Sequence, residues 1–386
     1  MTTMLLRQPV AAAPAVVWES LTDPGQMNAW STARIELVGF GDRQRADGVG
    51  AMRRVYLPYS GLPLTEVIHA SEPPYHLGYT VVGGVPLLRE HTGRITVTPA
   101  GGDAAEIRWE VVMRFEAPGL ATVAARLIEG ELRRSLRRLA ELAPRPAGAV
   151  PTPRRLAQGD LSALRDTAER VLVEQRAVAD RLAHADDPKQ WFARVYQYVT
   201  EEQLAHLHSG LADNPEWILR LIPCFHELYL SNLVAFERGE AVEKPWHRAW
   251  GQAERAAAAG SPKGIVEALL LGVAAHIEAD LPRALSTTYL DHFRHRCDYT
   301  YFRADYLRMS AIFRLASERL ISTLPRRCKP VWVPLAQAVL PAELRYQLMC
   351  EFYYNIPRKR LDAFERGRRL AQRHTEARAP LSAQPA

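Results

Sequence analysis

A chain of 386 residues is too long for one ordinary core, so two domains are expected. With 47% hydrophobic and 24% charged residues it has the composition of a globular protein, and no apolar run is long enough to read as a membrane span. The net charge of +6 does not mark a nucleic-acid-binding face: residues 1–146 carry 16 basic against 15 acidic groups, and the last 29 residues alone carry eight against three. The N-terminus has no basic stretch leading into a continuous apolar core, so no signal peptide is expected. The cysteines at 224, 297, 328 and 350 are scattered and form no CxxC, which argues against a zinc knuckle or a disulfide framework and for reduced thiols in a cytoplasm.

The first 115 residues read mostly as strands. "APAVVWESLTDPGQMNAW" (13–30) is the exception, a short-helical stretch with Pro14 in a first turn and Asp23-Pro24 as a stop. Strands are expected at 33–40, 50–59, 63–70 and 76–84, broken by Gly, Pro and Asp as turns require. Segments 88–99 and 104–115 form a hairpin around Gly-Gly-Asp. In "AEIRWEVVMRF" (105–115) Ile107, Trp109, Val111, Met113 and Phe115 share one face, the signature of a half-buried antiparallel strand. Residues 118–142 are one amphipathic helix, with Leu120, Val123, Ala124, Leu127, Ile128, Leu132, Leu136 and Leu139 at three- and four-residue steps.

This order of strand, short helices, antiparallel strands and one long helix resembles the helix-grip fold of the START-like superfamily, which includes polyketide cyclases and lipid-transfer domains. The resemblance covers residues 1–143. It implies an α+β domain whose sheet curls around the long helix and leaves an apolar cavity. Tyr79, His91, Trp109 and Met113 would line it, with Trp30 and Tyr56 near its mouth. Plain core is the commoner role for Trp109 and Met113. His91 shares the inward parity of Ile95 and Val97, and so either orients a carbonyl ligand or is a satisfied core histidine. No nucleophile–base pair stands out here, so binding of an apolar small molecule (polyketide-, lipid- or isoprenoid-like) ranks above catalysis.

Residues 144–158 are a proline-rich linker. An all-α domain is expected at 159–357, with helices at 160–185, 187–208, 214–239, 245–260, 263–285, 287–322 and 330–352, and no solenoid repeat. Residues 358–386 read as a basic, solvated, partly disordered C-terminal helix or tail.

In "LLLGVAAHIEADLPRAL" (269–285) His276 and Asp280 lie at i, i+4, on one helix face. Gly272 leaves room for another helix, and Pro282, which cannot donate to the Glu278 carbonyl, should kink or end the helix. If 287–322 is one helix, Asp291, His295, Asp298 and Asp305 share a face. His226 adds an imidazole in an apolar helix. These groups suit a tied helix end, a divalent metal held by His276, Asp280, Asp305 and His226, or a His276–Asp280 general base. The stretches "WFARVYQYVTEE", "FHELYLSNL" and "GVAAHIEADLPRAL" are also similar to a bacterial family of unknown function, over about 160–325. That resemblance nominates His276, Asp280 and Asp305 together. The expectation is an apolar-ligand-binding N-domain joined to a helical domain with a possible polar or metal-assisted site; the alternative is a non-enzymatic ligand-binding or interaction protein with the helical domain as scaffold.

Overall fold

The computed structural model describes residues 2–57, 63–84, 88–116, 120–143, 156–157, 159–329, 340, 345–346, 349–350 and 353–378. Contacts divide the chain into two units, Met1–Ala149 and Val150–Ala386. Most of the expected linker, nearly all of the expected 330–352 helix and the last eight residues lie outside the described residues.

In the first unit the elements run β1 (Thr2–Val10), α1 (Pro14–Thr22), α2 (Pro24–Trp30), β2 (Arg34–Gly39), β3 (Met52–Tyr56), β4 (Leu64–Glu72), β5 (His76–Gly83), β6 (Leu88–Pro99), β7 (Ala105–Phe115) and α3 (Leu120–Leu142). Pro14 opens α1. The Asp23 carboxylate accepts from the Gln26 amide at 2.9 Å and caps α2, as expected of an Asp-Pro start. The β6–β7 turn puts Gly101 and Gly102 at φ 89° and 56°, which L side chains rarely adopt.

All neighbouring strands are antiparallel, in the order β1-β7-β6-β5-β4-β3-β2. Helix α3 packs on β1, β7 and α2, and α2 packs on β2, so the two sheet edges are bridged by helices. Ser135 Oγ of α3 accepts from the Thr32 amide at 3.0 Å and fixes this junction. The result is the helix-grip architecture.

The second unit is helical: α4 (Ser162–His184), α5 (Gln190–His208), α6 (Pro215–Glu237), α7 (Lys244–Ala258), α8 (Pro262–Ala275), a π-turn (His276–Asp280), α9 (Leu281–His292), α10 (Arg303–Arg308), α11 (Ser310–Thr323) and α12 (Ile356–Arg378). Three expectations change here. The 263–285 segment does not stop at Pro282. It passes through the π-turn, in which the Leu281 amide bonds the His276 carbonyl, and Pro282 falls in the first turn of α9, where a missing N–H costs little.

The 287–322 segment is not one helix. Asp298 accepts from both the amide and the hydroxyl of Thr300, at 2.8 and 2.6 Å, and that local alternative starts a 3₁₀ turn at Tyr299–Phe302 instead. Asp291, His295, Asp298 and Asp305 therefore share no face.

The basic C-terminal helix is not a solvated appendage either. In α12 Leu361, Ala363, Phe364 and Ala371 are buried, together with Arg360 and Arg368. Gly367 lets α12 approach α9 so closely that a β-carbon there would stand 3.0 Å from the Pro282 carbonyl oxygen. Among the described residues no helix is long and apolar enough to cross a membrane.

Candidate functional site

The first unit turns Leu77 and Tyr79 of β5, Ile95 and Val97 of β6, and Trp109, Val111 and Met113 of β7 into its core. The register pairs His91 with Met113 and Tyr79 with Gly93. Tyr79, His91, Trp109 and Met113 are thus brought together. The Trp109 indole donates to the Tyr79 hydroxyl at 3.0 Å, and the His91 and Tyr79 rings lie 6.0 Å apart. Met113 is fully buried. The His91 imidazole is held below its ordinary pKa by burial, and its Nδ1 has no hydrogen-bond partner.

Trp30 and Tyr56 do not join this group. The Trp30 indole is buried and donates to the Ser20 carbonyl at 2.8 Å, serving the α1–α2 junction. Tyr56 pairs with Arg34 in the β2–β3 ladder, on the strand face opposite Arg53 and Val55. It carries the Arg34 guanidinium over its ring and donates to Glu36 at 3.0 Å.

Two inward residues were not foreseen. Glu66 lies at the parity of Leu64 and Ile68 on β4, and Arg53 is its cross-strand partner on β3. Burial pushes the Glu66 carboxyl up to about 7, with the Arg53 charge pulling the other way. The alternation of "PLTEVIHA" carries this signal, because a carboxylate on the apolar parity of a strand needs a reason.

The second unit holds a pocket of its own, with about 690 Å³ of empty space that includes open solvent. Its walls come from α5 (Phe192, Tyr196), α6 (Phe225), the π-turn (His276), and α10 to α12 (Tyr306, Arg360). They are apolar and aromatic, which is usual for small-molecule sites.

His276 stands among these rings. Phe225 stacks on it at 3.6 Å between centroids and 8° between planes, and Tyr196 meets it edge-on at 4.4 Å. Its Nδ1 lies 2.9 Å from Asp280 Oδ2, which also accepts from the Trp246 indole at 3.0 Å. A carboxylate only accepts, so the neutral imidazole carries its proton on Nδ1. Nε2 is left as an acceptor, buried and without a hydrogen-bond partner. His276 lines the pocket, whereas the fully buried Asp280 that holds its Nδ1 does not. Burial lowers the His276 pKa, against the hydrogen bond and charge of Asp280, which raise it. The resting form is therefore neutral.

The other nominated groups are elsewhere. Asp305 accepts from the amides of Asp213 and Asn214 at 2.9 and 2.8 Å, from the Asn214 side chain at 3.0 Å and from Arg308 at 2.7 Å. It is fully buried and secures the start of α6. His226 is buried with its Nε2 3.2 Å from Glu174, and its pKa is lowered by burial. Among the described residues no group of three or more His, Cys, Asp or Glu side chains is placed to hold a metal, so His276, Asp280, Asp305 and His226 do not come together as the metal alternative required.

Of the pocket lining the sequence reading named only His276, and Arg360 is the charged member it missed. It sat in the arginine-rich run taken for a solvated helix. The signal was present: Leu361 and Phe364, with the small Ala363 and Gly367, form a stripe at helical spacing, and position 360 borders it.

Residues 1–144 match the family model described as polyketide cyclase/dehydrase and lipid transport, and residues 168–384 match that of a family of unknown function (DUF5995). No curated protein matches the chain. Solved structures match its first unit. A START superfamily protein from Mycobacterium smegmatis is 12% identical over 36% of this chain and 96% of its own, at a TM-score of 0.32. XoxI from Bacillus cereus is 13% identical over 37% and 95%, at 0.31. Norcoclaurine synthase from Thalictrum flavum, solved with dopamine and hydroxybenzaldehyde, is 18% identical over 36% and 85%, at 0.30.

Proposed function

The chain belongs to the family of unknown function DUF5995, whose model spans more than half of it, and we propose that its helical unit binds a largely apolar small molecule on which His276 acts as hydrogen-bond acceptor and general base. One observation carries this: His276 Nε2 is buried without a partner on a pocket-lining ring whose other nitrogen is anchored to Asp280. A buried polar atom left unpaired in a native protein costs about 1–3 kcal/mol, and a ligand proton would remove that cost. When Nε2 takes a proton, Asp280 beside Nδ1–H stabilises the imidazolium. The aromatic surroundings bury the imidazole and hold it in its neutral, proton-accepting form.

The test reads the tautomer directly. Two-bond ¹⁵N–¹H spectra of the full chain at pH 7.5 are expected to show His276 as the Nδ1–H form with a bare Nε2. A proton on Nε2 at rest would sink the base assignment. Co-purified small molecules, read by native mass spectrometry, should fall in His276→Gln, which fills similar space without a basic nitrogen. A scaffold-only domain predicts no such loss.

A second reading concerns the first unit. We infer that it binds an apolar small molecule between sheet and helix, supported by the Tyr79–Trp109 hydrogen bond with His91 and Glu66 on the same inward face. Tyr79→Phe should weaken retention of a co-purified apolar ligand, and unchanged occupancy would remove Tyr79 from the site.

A further inference from the structure

Arg360 is 2% exposed, in the α12 wall of the helical pocket. Two of its five N–H groups are used. Nη1 donates to Ser310 Oγ at 2.8 Å and Nη2 to the Tyr306 carbonyl at 2.9 Å. Nε has no partner. The guanidinium carbon lies 4.3 Å from the ring centres of both Tyr306 and Phe313. Both rings face the same pocket. Among the described residues no carboxylate pairs with this arginine. Other arginines of the unit have one: Arg308 with Asp305, Arg296 with Glu216 and Arg345 with Glu318.

A buried guanidinium keeps its charge, and burying an unpaired ion costs several kcal/mol. The two neutral acceptors and two ring faces offset part of that. They also hold the group in place, and Nε–H and the second N–H on each Nη have no acceptor among the described residues, an inventory that a carboxylate, which a guanidinium pairs two bonds at a time, would meet. Among the described residues Arg360 is the one charged side chain in the pocket lining, and the rest of that lining is dominated by apolar and aromatic side chains.

We propose that the helical pocket takes an apolar molecule bearing a carboxylate, such as a fatty or aryl acid, with the carboxylate on Arg360 and its apolar body among Phe192, Tyr196, Phe225 and Phe313. This deepens the base reading, since Arg360 would fix which part of the ligand reaches His276. It also stands apart from it, because anion binding does not require Nε2 to act. A multiply charged phosphate is disfavoured by the single cation and the apolar walls.

The probes are decanoate and 1-decanol, titrated calorimetrically into the full chain at pH 8, where the acid is ionised. Wild type is expected to bind decanoate at least about tenfold more tightly than decanol, as charge-assisted bidentate pairing implies. Arg360→Lys keeps the charge but loses the fork, and should cut that preference by about tenfold or more. Val273→Phe fills the pocket and should abolish the Arg360-dependent site. Any decanoate held by the first unit is common to all variants and drops out of the comparison. His276→Gln removes an acceptor and not a cation, so it should not weaken decanoate more than decanol, and failure of the base reading and of this one are distinguishable. Equal binding of decanol, or a preference that survives both Arg360→Lys and Val273→Phe, overturns the proposal. If Arg360→Lys does not give a cooperative melt, wild type against Val273→Phe decides, with His276→Gln showing whether the imidazole is the source of the preference.

Discussion

Asp280 Oδ2 lies 2.9 Å from His276 Nδ1, and the same oxygen takes the Trp246 indole proton at 3.0 Å. One carboxylate oxygen thus sets the tautomer of the histidine and the seat of the tryptophan. Asp280→Asn keeps the shape and removes the charge. With its amide oxygen in the Oδ2 place it still accepts from both Trp246 and His276 Nδ1–H, so ¹⁵N spectra should keep the Nδ1–H tautomer. Its NH₂ falls at the Oδ1 place, which has no partner, and the variant should lose about 1–3 kcal/mol of stability and titrate His276 lower than wild type, because the Asp280 charge that raises the pKa is gone. An Nε2–H tautomer in the variant, or an unmoved His276 midpoint, would refute this account of the pair.

His276 should titrate below the ordinary histidine value of 6.5, because burial outweighs Asp280. The folded state then binds fewer protons than the unfolded state just below that value. This contribution to stability is full above pH 6.5 and falls as the pH drops toward the lower, folded pKa. Chemical-shift titration should place the midpoint below 6.5. His276→Gln should flatten the acid-side loss of stability, and a midpoint above 6.5 would reverse the argument.

Glu66 gives the opposite slope. Its carboxyl rises from an ordinary 4.5 to about 7 through burial. The folded state holds a proton that the unfolded state has released, so stability falls as pH rises between those values. At pH 8 Glu66→Gln should exceed wild type by on the order of 2 kcal/mol, a figure reduced because the side chain retains some contact with solvent. At pH 4 the two should melt together. Equal melting at pH 8 would mean the carboxylate is better solvated than its surroundings imply.

Gly272 lies under the Phe192 ring, and a β-carbon there would stand 3.0 Å from Phe192 Cδ2. Phe192 lines the pocket and meets the His276 ring edge-on at 5.5 Å. Gly272→Ala should cost roughly 1–3 kcal/mol by overpacking and shift the His276 ring resonances. A variant with wild-type stability and spectra would show that Phe192 gives way freely.

The fold could be read from the sequence because strand alternation and helical periodicity repeat over many residues. The β6–β7 pairing followed from strand alternation and the Gly-Gly-Asp turn between the two segments. Breaks in regular structure were harder. The π-turn shows as the Leu281 amide bonded to the His276 carbonyl, and the 3₁₀ turn that follows α9 starts where Asp298 accepts from Thr300. Neither leaves a periodic trace. Missing the second break put Asp305 on a helix face it does not occupy. The His276–Asp280 pair was legible, because four residues of spacing bring two side chains together whatever surrounds them. Arg360 was hidden by its neighbours: a run of arginines looks alike in sequence whether its members face solvent or a cavity.

Helix α12 brings Arg360 to a pocket whose other walls were all made earlier in the chain. During synthesis the aromatic walls and His276 emerge first and wait for a segment about 80 residues downstream of His276. Arg360 arrives only when α12 docks, with Gly367 against Pro282. If the carboxylate proposal holds, charge selectivity is the last property the pocket acquires in synthesis, after its apolar walls.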